Sequence, residues 1–207
     1  MNYEEISDAI INYANRSNDF AFISNIQLWI SMVEGELNRS LRSTDQEVRA
    51  AIEVATQYIQ LPEDVLELRN IQMNTSRGTV PLEAMSPQQI DTEAASSVGI
   101  PSGYTVIGAA IQLDCAPSSN VSIEIAYYAK IPELTSEADN NWLSSKAPDA
   151  YIFGALSHAN AWLADDDRIQ LWAIKFDQIK NDLQTESERL KYQGGSMVQR
   201  LDPLYVV

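Results

Sequence analysis

The hydrophobic period of this chain changes twice, and those two changes limit its fold more than any single motif. From Tyr3 to Tyr13 apolar residues recur at steps of three and four (Tyr3, Ile6, Ile10, Tyr13), and from Phe22 they do so again (Phe22, Ile26, Ile30, Val33, Leu37, Leu41). That spacing gathers them on one side of a helical turn and predicts two amphipathic helices. Ser17, Asn18 and Asp19 lie between, each able to accept a hydrogen bond from the free N–H groups that open the second helix. After Thr44 the period falls to two. Val48, Ala50, Ile52, Val54 and Thr56 share one face of a β-branched stretch, which predicts a strand running into the turn at Leu61-Pro62.

Four more stretches read as strands: VLELRNIQMN, RGTVPLEA, GYTVIGAAIQLD and NVSIEIAYYA. Turn-forming residues separate them at Ser76-Arg77-Gly78, Pro101-Ser102-Gly103 and Pro117-Ser118-Ser119-Asn120. In the last strand Val121, Ile123, Ile125 and Tyr127 alternate with Ser122, Glu124, Ala126 and Tyr128, so one face is buried and the other wetter. SPQQIDTEAAS, from Ser86 to Ser96, predicts a short helix among the strands.

The helical period returns at Pro148, which suits a first helical position because its missing N–H would have no partner there. Ile152, Leu156, Ala159 and Leu163 form one face while Tyr151, Ala155 and Trp162 widen it, so this helix is covered on more than one side. A last helix carries Ile169, Trp172, Phe176, Ile179, Leu183 and Leu190, interrupted at Glu186, and stops at Gly194-Gly195. The expected fold is therefore α+β. A helical bundle is built from residues 1–45 and a hairpin over 131–193, an antiparallel β-rich insertion occupies 46–130, and an extended tail follows over 194–207.

Composition narrows the function. One cysteine, Cys115, forms no intramolecular disulfide, and with a single histidine the chain cannot build a usual Cys/His zinc site, so no metal or cofactor is expected. A net charge of -15, with fourteen scattered Lys and Arg, disfavours specific DNA binding. MNYEEISDAI lacks the pattern of a leader, and no apolar run reaches membrane-spanning length, so the expectation is a soluble protein made in the cytoplasm.

His158 precedes the triplet Asp165, Asp166 and Asp167 by seven to nine positions, about two helical turns or ~10 Å. The aspartates read as caps for the Ile169 helix, and His158 as a partly buried core or interface residue. Acids such as Glu34, Glu36, Glu63, Asp64 and Glu67 could in principle do paired-carboxylate hydrolysis, but among 29 acids nothing singles out a pair. Cys115, in step with Ile111 and Leu113, reads as a small buried thiol, and the glycines form no phosphate loop. No catalytic residue is assigned.

YYAKIPELT, NNWLSSKAPDAYIFGAL and ADDDRIQLW, through Tyr127, Tyr128, Pro132, Leu134, Asn141, Trp142, Leu143, Pro148, Asp149, Tyr151, Leu156, Asp166 and Trp172, resemble the head-to-tail adaptor proteins of tailed bacteriophages. That group includes the tail accessory factors of short-tailed phages. LPEDVLELRNI resembles the family's Leu-Pro segment through Leu61, Pro62, Asp64 and Glu67. These stretches cover about half of the chain; the opening residues match in helical character only, and the tail matches no family motif.

The resemblance implies a structural virion protein of the head-tail connector, not an enzyme. It implies a ring of copies, usually dodecameric, bound below the portal protein, extending the DNA channel and offering a platform to a tail or nozzle protein. DNA would pass without specific binding, and an acidic lining would repel it. A ring needs heterologous contacts, and Tyr151, Trp162, His158 and Trp142 are the expected subunit-interface residues, with the Tyr151 and Trp162 side of the Pro148 helix meeting a neighbour or the opening helices. In the tail, Val198, Leu201, Leu204, Tyr205, Val206 and Val207 are expected to bind the portal over about 33 Å of extended chain. The alternatives are a peptidoglycan hydrolase of phage entry and a generic β-bearing scaffold.

Overall fold

The computed structural model describes residues 1–75, 78–93, 98–159, 162–163 and 168–191. The chain is α+β, and its helices and strands form two separate cores.

Helix α1 (Tyr3–Ala14) opens on a reciprocal cap, in which the Asn2 side chain accepts from the Glu5 amide at 2.8 Å and the Glu5 carboxylate accepts from the Asn2 amide at 3.0 Å. It ends at Asn15 in the left-handed region, φ 55°. The single second helix expected from Phe22 is two helices, α2 (Phe20–Ser24) and α3 (Ile26–Ser40). Asp19 caps α2, as the sequence suggested. The break falls at Asn25, whose Nδ2 donates to the Ala21 carbonyl at 2.7 Å while its own amide turns to Phe22, so the side chain competes with the backbone ladder.

A 3-10 turn, Thr44–Gln46, leads into β1 (Glu47–Val54). The strand expected to run on to Leu61 is interrupted. Thr56 Oγ1 donates to the Tyr58 carbonyl at 2.9 Å, and β2 (Tyr58–Gln60) restarts in a different sheet. Then come β3 (Val65–Thr75), β4 (Gly78–Pro81), β5 (Glu83–Ala84), α4 (Pro87–Glu93), β6 (Val98–Gly99), β7 (Gly103–Ile107), β8 (Ala110–Leu113), β9 (Ala116–Pro117) and β10 (Val121–Ala129).

One sheet has the order β1-β10-β3-β4, all antiparallel; the second runs β2-β8-β7-β5, and β6 pairs with β9. Gly108, at φ 62°, makes the turn between β7 and β8 that side chains other than glycine rarely adopt. The alternation expected along β10 holds from Ser122 to Tyr127 but fails at Tyr128, which is 6% exposed where the register with β3 shifts; Ile123 and Ile125 meet Ile71, Met73, Ile111 and Leu113 in an aliphatic core between the sheets.

The helical core gathers distant parts of the sequence. α5 (Trp142–Lys146), α6 (Pro148–His158) and α7 (Ile169–Lys191) complete it, with Pro148 at the head of α6. α6 is enclosed by α1, α3, α5 and α7, as its all-round apolar surface required. Gly154 permits this crowding: a β-carbon there would stand 2.6 Å from Val33 Cγ2 and 2.9 Å from Phe176 Cε2. In α7 the buried line runs Trp172, Phe176, Leu183 and Ser187. The apolar step that the sequence lost at Glu186 is taken by Ser187, whose hydroxyl accepts from the Thr44 amide at 3.0 Å.

No described helix is long and apolar enough to cross a membrane. The turn at Ser76-Arg77, the Asp165-Asp167 triplet, the Gly194-Gly195 stop and the whole tail lie outside the described residues.

Candidate functional site

Segments far apart in the sequence meet in two places, a polar cluster inside the helical core and the joint where that core meets the strands. The centre of the cluster is Glu34, on the core face of α3 in step with Ile30, Val33 and Leu37, and 4% exposed. Glu34 Oε1 accepts from the Leu134 amide at 2.8 Å and from the Tyr151 hydroxyl at 2.9 Å. The Tyr151 oxygen in turn accepts from Asn141 Nδ2 at 2.7 Å, and the same Nδ2 donates to the Pro132 carbonyl at 2.6 Å. Asn141 Oδ1 meanwhile accepts from the Ser144 amide, capping α5. One asparagine thus starts a helix and ties it to the chain arriving from β10.

Burial pushes the Glu34 carboxyl up to about 7, against the lowering effect of its two hydrogen bonds and with the Glu133 charge adding to the rise. Burial also raises the Tyr151 hydroxyl, and the Glu34 charge raises it further. Among the described residues no cation pairs with Glu34. Burial thus favours the neutral carboxyl more than the two hydrogen bonds favour the carboxylate.

The β side of the joint uses the other motif segments. The Lys130 amide donates to the Asp64 carbonyl at 2.7 Å, Lys130 Nζ donates to the Glu63 carbonyl at 2.8 Å, and the Tyr127 hydroxyl donates to the Asp64 carboxylate at 3.2 Å. Burial, then the Asp64 charge, raises the Tyr127 hydroxyl. Arg42, just past α3, meets Glu67 of β3 at 2.8 Å. Gln46 Nε2 reaches the Ala129 carbonyl at 3.3 Å, and Lys191, at the end of α7, donates to the Tyr128 hydroxyl at 2.9 Å and the Arg42 carbonyl at 3.3 Å.

The four residues expected at a subunit interface do not form one surface. Tyr151 is corrected outright: at 0% exposure it belongs to its own subunit's core and has no surface for a neighbour. The Tyr151 side of α6 meets the opening helices, the other option the sequence left. Trp142 is half-buried at the start of α5, packed on the helical core. His158 is half-buried at the end of α6, its Nε2 3.3 Å from Glu36 Oε2 and its ring edge-on to Phe176. Glu36 also holds Lys180 at 2.6 Å, and Asp177 holds the same ammonium at 2.7 Å. Burial works against the Lys180 charge, but those hydrogen bonds outweigh it and raise its pKa. Trp162 is 41% exposed and the most available of the four. Val198, Leu201, Leu204, Tyr205, Val206 and Val207 lie outside the described residues.

Most of the acids weighed as hydrolytic candidates have structural partners: Glu34 Tyr151 and the Leu134 amide, Glu36 the lysine and histidine, Asp64 Tyr127, and Glu67 Arg42. Cys115 is buried, as read from the sequence. Among the described residues no group of three or more His, Cys, Asp or Glu could hold a metal ion. Sequence reasoning missed Glu34 as the centre. The available signal was a carboxylate on the buried line of an amphipathic helix, a position that asks for a partner elsewhere in the chain.

Residues 1–200 match the family described as SU10 adaptor protein. A search of curated proteins gave no match.

Proposed function

This chain belongs to the SU10 adaptor protein family, and from that premise we propose that it works as a head-to-tail adaptor, a ring of copies below the portal that extends the DNA channel and carries the tail. Family membership over nearly the whole chain carries this reading. The joint is consistent with it, because a connector subunit must transmit position from one neighbour to the next, and Arg42, Gln46 and Lys191 tie the helical part to the strands.

Within that reading Trp162, with its exposed ring, is the leading interface residue of those picked out from the sequence; His158 and Trp142, both half-buried, contribute at other points of the subunit. Aromatic side chains of this kind are common anchors in interfaces. The tail residues Val198, Leu201, Leu204, Tyr205, Val206 and Val207 bind the portal, and carboxylates facing the channel keep DNA moving by repulsion. Trp162→Ala is expected to weaken ring assembly while leaving the monomer's melting temperature within a few degrees. Equal loss of both would move Trp162 from the interface to the core.

The deciding experiment mixes the purified chain with its portal ring and weighs the complex by light scattering, with a chain lacking residues 196–207 alongside. A complex formed only by the full chain supports both the adaptor reading and the tail contact. A complex from both keeps the adaptor and removes the tail's role. No complex from either overturns the reading.

A further inference from the structure

We infer that the groove between α1 and the α2–α3 pair docks a partner segment carrying an apolar side chain flanked by lysine or arginine. The inference goes beyond the adaptor reading and does not depend on ring formation.

The groove encloses about 560 Å³, within the roughly 300–1,000 Å³ of sites that take a specific ligand. Ile11, Ile23 and Ile26 make its floor, while Glu4, Asp8 and Asp139 stand at its rim. No lysine or arginine lines it, and α1 itself, YEEISDAIINYA, contains none. Glu4 and Asp8 are one helical turn apart, a spacing at which like charges oppose each other. Asp139, from the segment before α5, adds a third carboxylate, with Oδ1 3.3 Å from the Tyr3 amide. None of the three forms an ion pair among the described residues.

Phe20, 85% exposed in the first turn of α2, lies outside that lining, in a hollow it shares with Arg16 and Asp19. Phe22 alone is buried in that helix. An apolar floor under an uncompensated acidic rim matches one partner chemistry: an aliphatic or aromatic side chain between cations.

The test is an NMR titration of the full isotope-labelled chain with the acetylated, amidated hexapeptide Lys-Arg-Leu-Leu-Arg-Lys. Shift changes are expected at Tyr3–Ile11, at Ile23–Ile26 and over 136–139, and the same peptide with glutamate in place of its basic residues should leave them unmoved. Glu4→Gln and Asp8→Asn should each weaken binding about threefold, as expected for one screened charge apiece. Both side chains are exposed, so the fold survives. Asp182→Asn makes the same charge change on the exposed side of α7 and should leave the affinity unaltered. If Asp182→Asn weakens binding as much as Asp8→Asn, the peptide is reading overall charge and the groove is not a site. Shift changes centred elsewhere overturn it equally, and neither result touches the portal experiment.

Discussion

The β core and the helical core are built on opposite plans. Every member of the β core lies between Val54 and Ala129, and its buried side chains are almost all aliphatic. The helical core joins Ile6–Leu41 to Ile131–Leu183 across that whole insertion, and it encloses a carboxyl, a phenol and a carboxamide hydrogen-bonded to one another. The difference teaches where specificity is needed. Strands that are neighbours in sequence find their register by alternation and turns, whereas two helical halves separated by a long insertion gain from polar contacts that only one arrangement satisfies.

All four tryptophans, Trp29, Trp142, Trp162 and Trp172, lie in the helical part, so tryptophan fluorescence follows that core alone. Ile123→Ala should cost about 2–5 kcal/mol. It should appear as lost hydrogen-exchange protection along β10, with a smaller shift in the fluorescence midpoint. Identical shifts in the two probes would show that the joint makes the cores one cooperative unit and would break the contrast.

Gly154→Ala tests the crowding of the helical core and should cost about 1–3 kcal/mol by thermal unfolding, because Val33 and the Phe176 ring must both yield. A neutral result would mean that α6 has room to shift.

Glu34 gives the contrast a pH signature. Its folded pKa of about 7 lies above the ordinary 4.5, so the folded state holds a proton that the unfolded state releases. The contribution to stability is complete below about pH 4.5 and is lost as pH rises to 7 and beyond. Glu34→Gln keeps an acceptor for Leu134 and Tyr151 without the charge. It should flatten that decline and gain about 2 kcal/mol relative to the native chain between pH 5 and pH 8. Denaturant titrations at both pH values check it, and a parallel decline in the variant would place the pH dependence elsewhere. Glu67→Gln is the smallest change. The Arg42 contact is half open to water and should be worth less than about 1 kcal/mol, so a larger loss would make this ion pair a principal tie of the joint.

The two period changes were legible and located both cores. What the sequence concealed were the places where polar side chains act on the backbone. Asn25 splits a helix by bonding Ala21, and Thr56 ends a strand by bonding Tyr58, yet neither disturbs the apolar pattern around it. Glu34, Asn141 and Ser187 were hidden for a related reason. Each is a polar residue at a buried position, and pattern reading assigns such positions by apolarity, whereas their partners lie about a hundred or more residues away or across a turn. Tyr151 shows the cost of judging by residue type: a tyrosine that suits an interface is equally suited to hold a carboxyl in the core.

The end of α7 has a mechanical consequence. Lys191 is fastened to Tyr128 of β10 and to the carbonyl of Arg42, and Tyr128 stands in register with Glu47 at the first position of β1. Any pull on the chain beyond Lys191 is therefore delivered to the seam where helices and sheet meet, and the load divides between them at once rather than unwinding α7 from its tip.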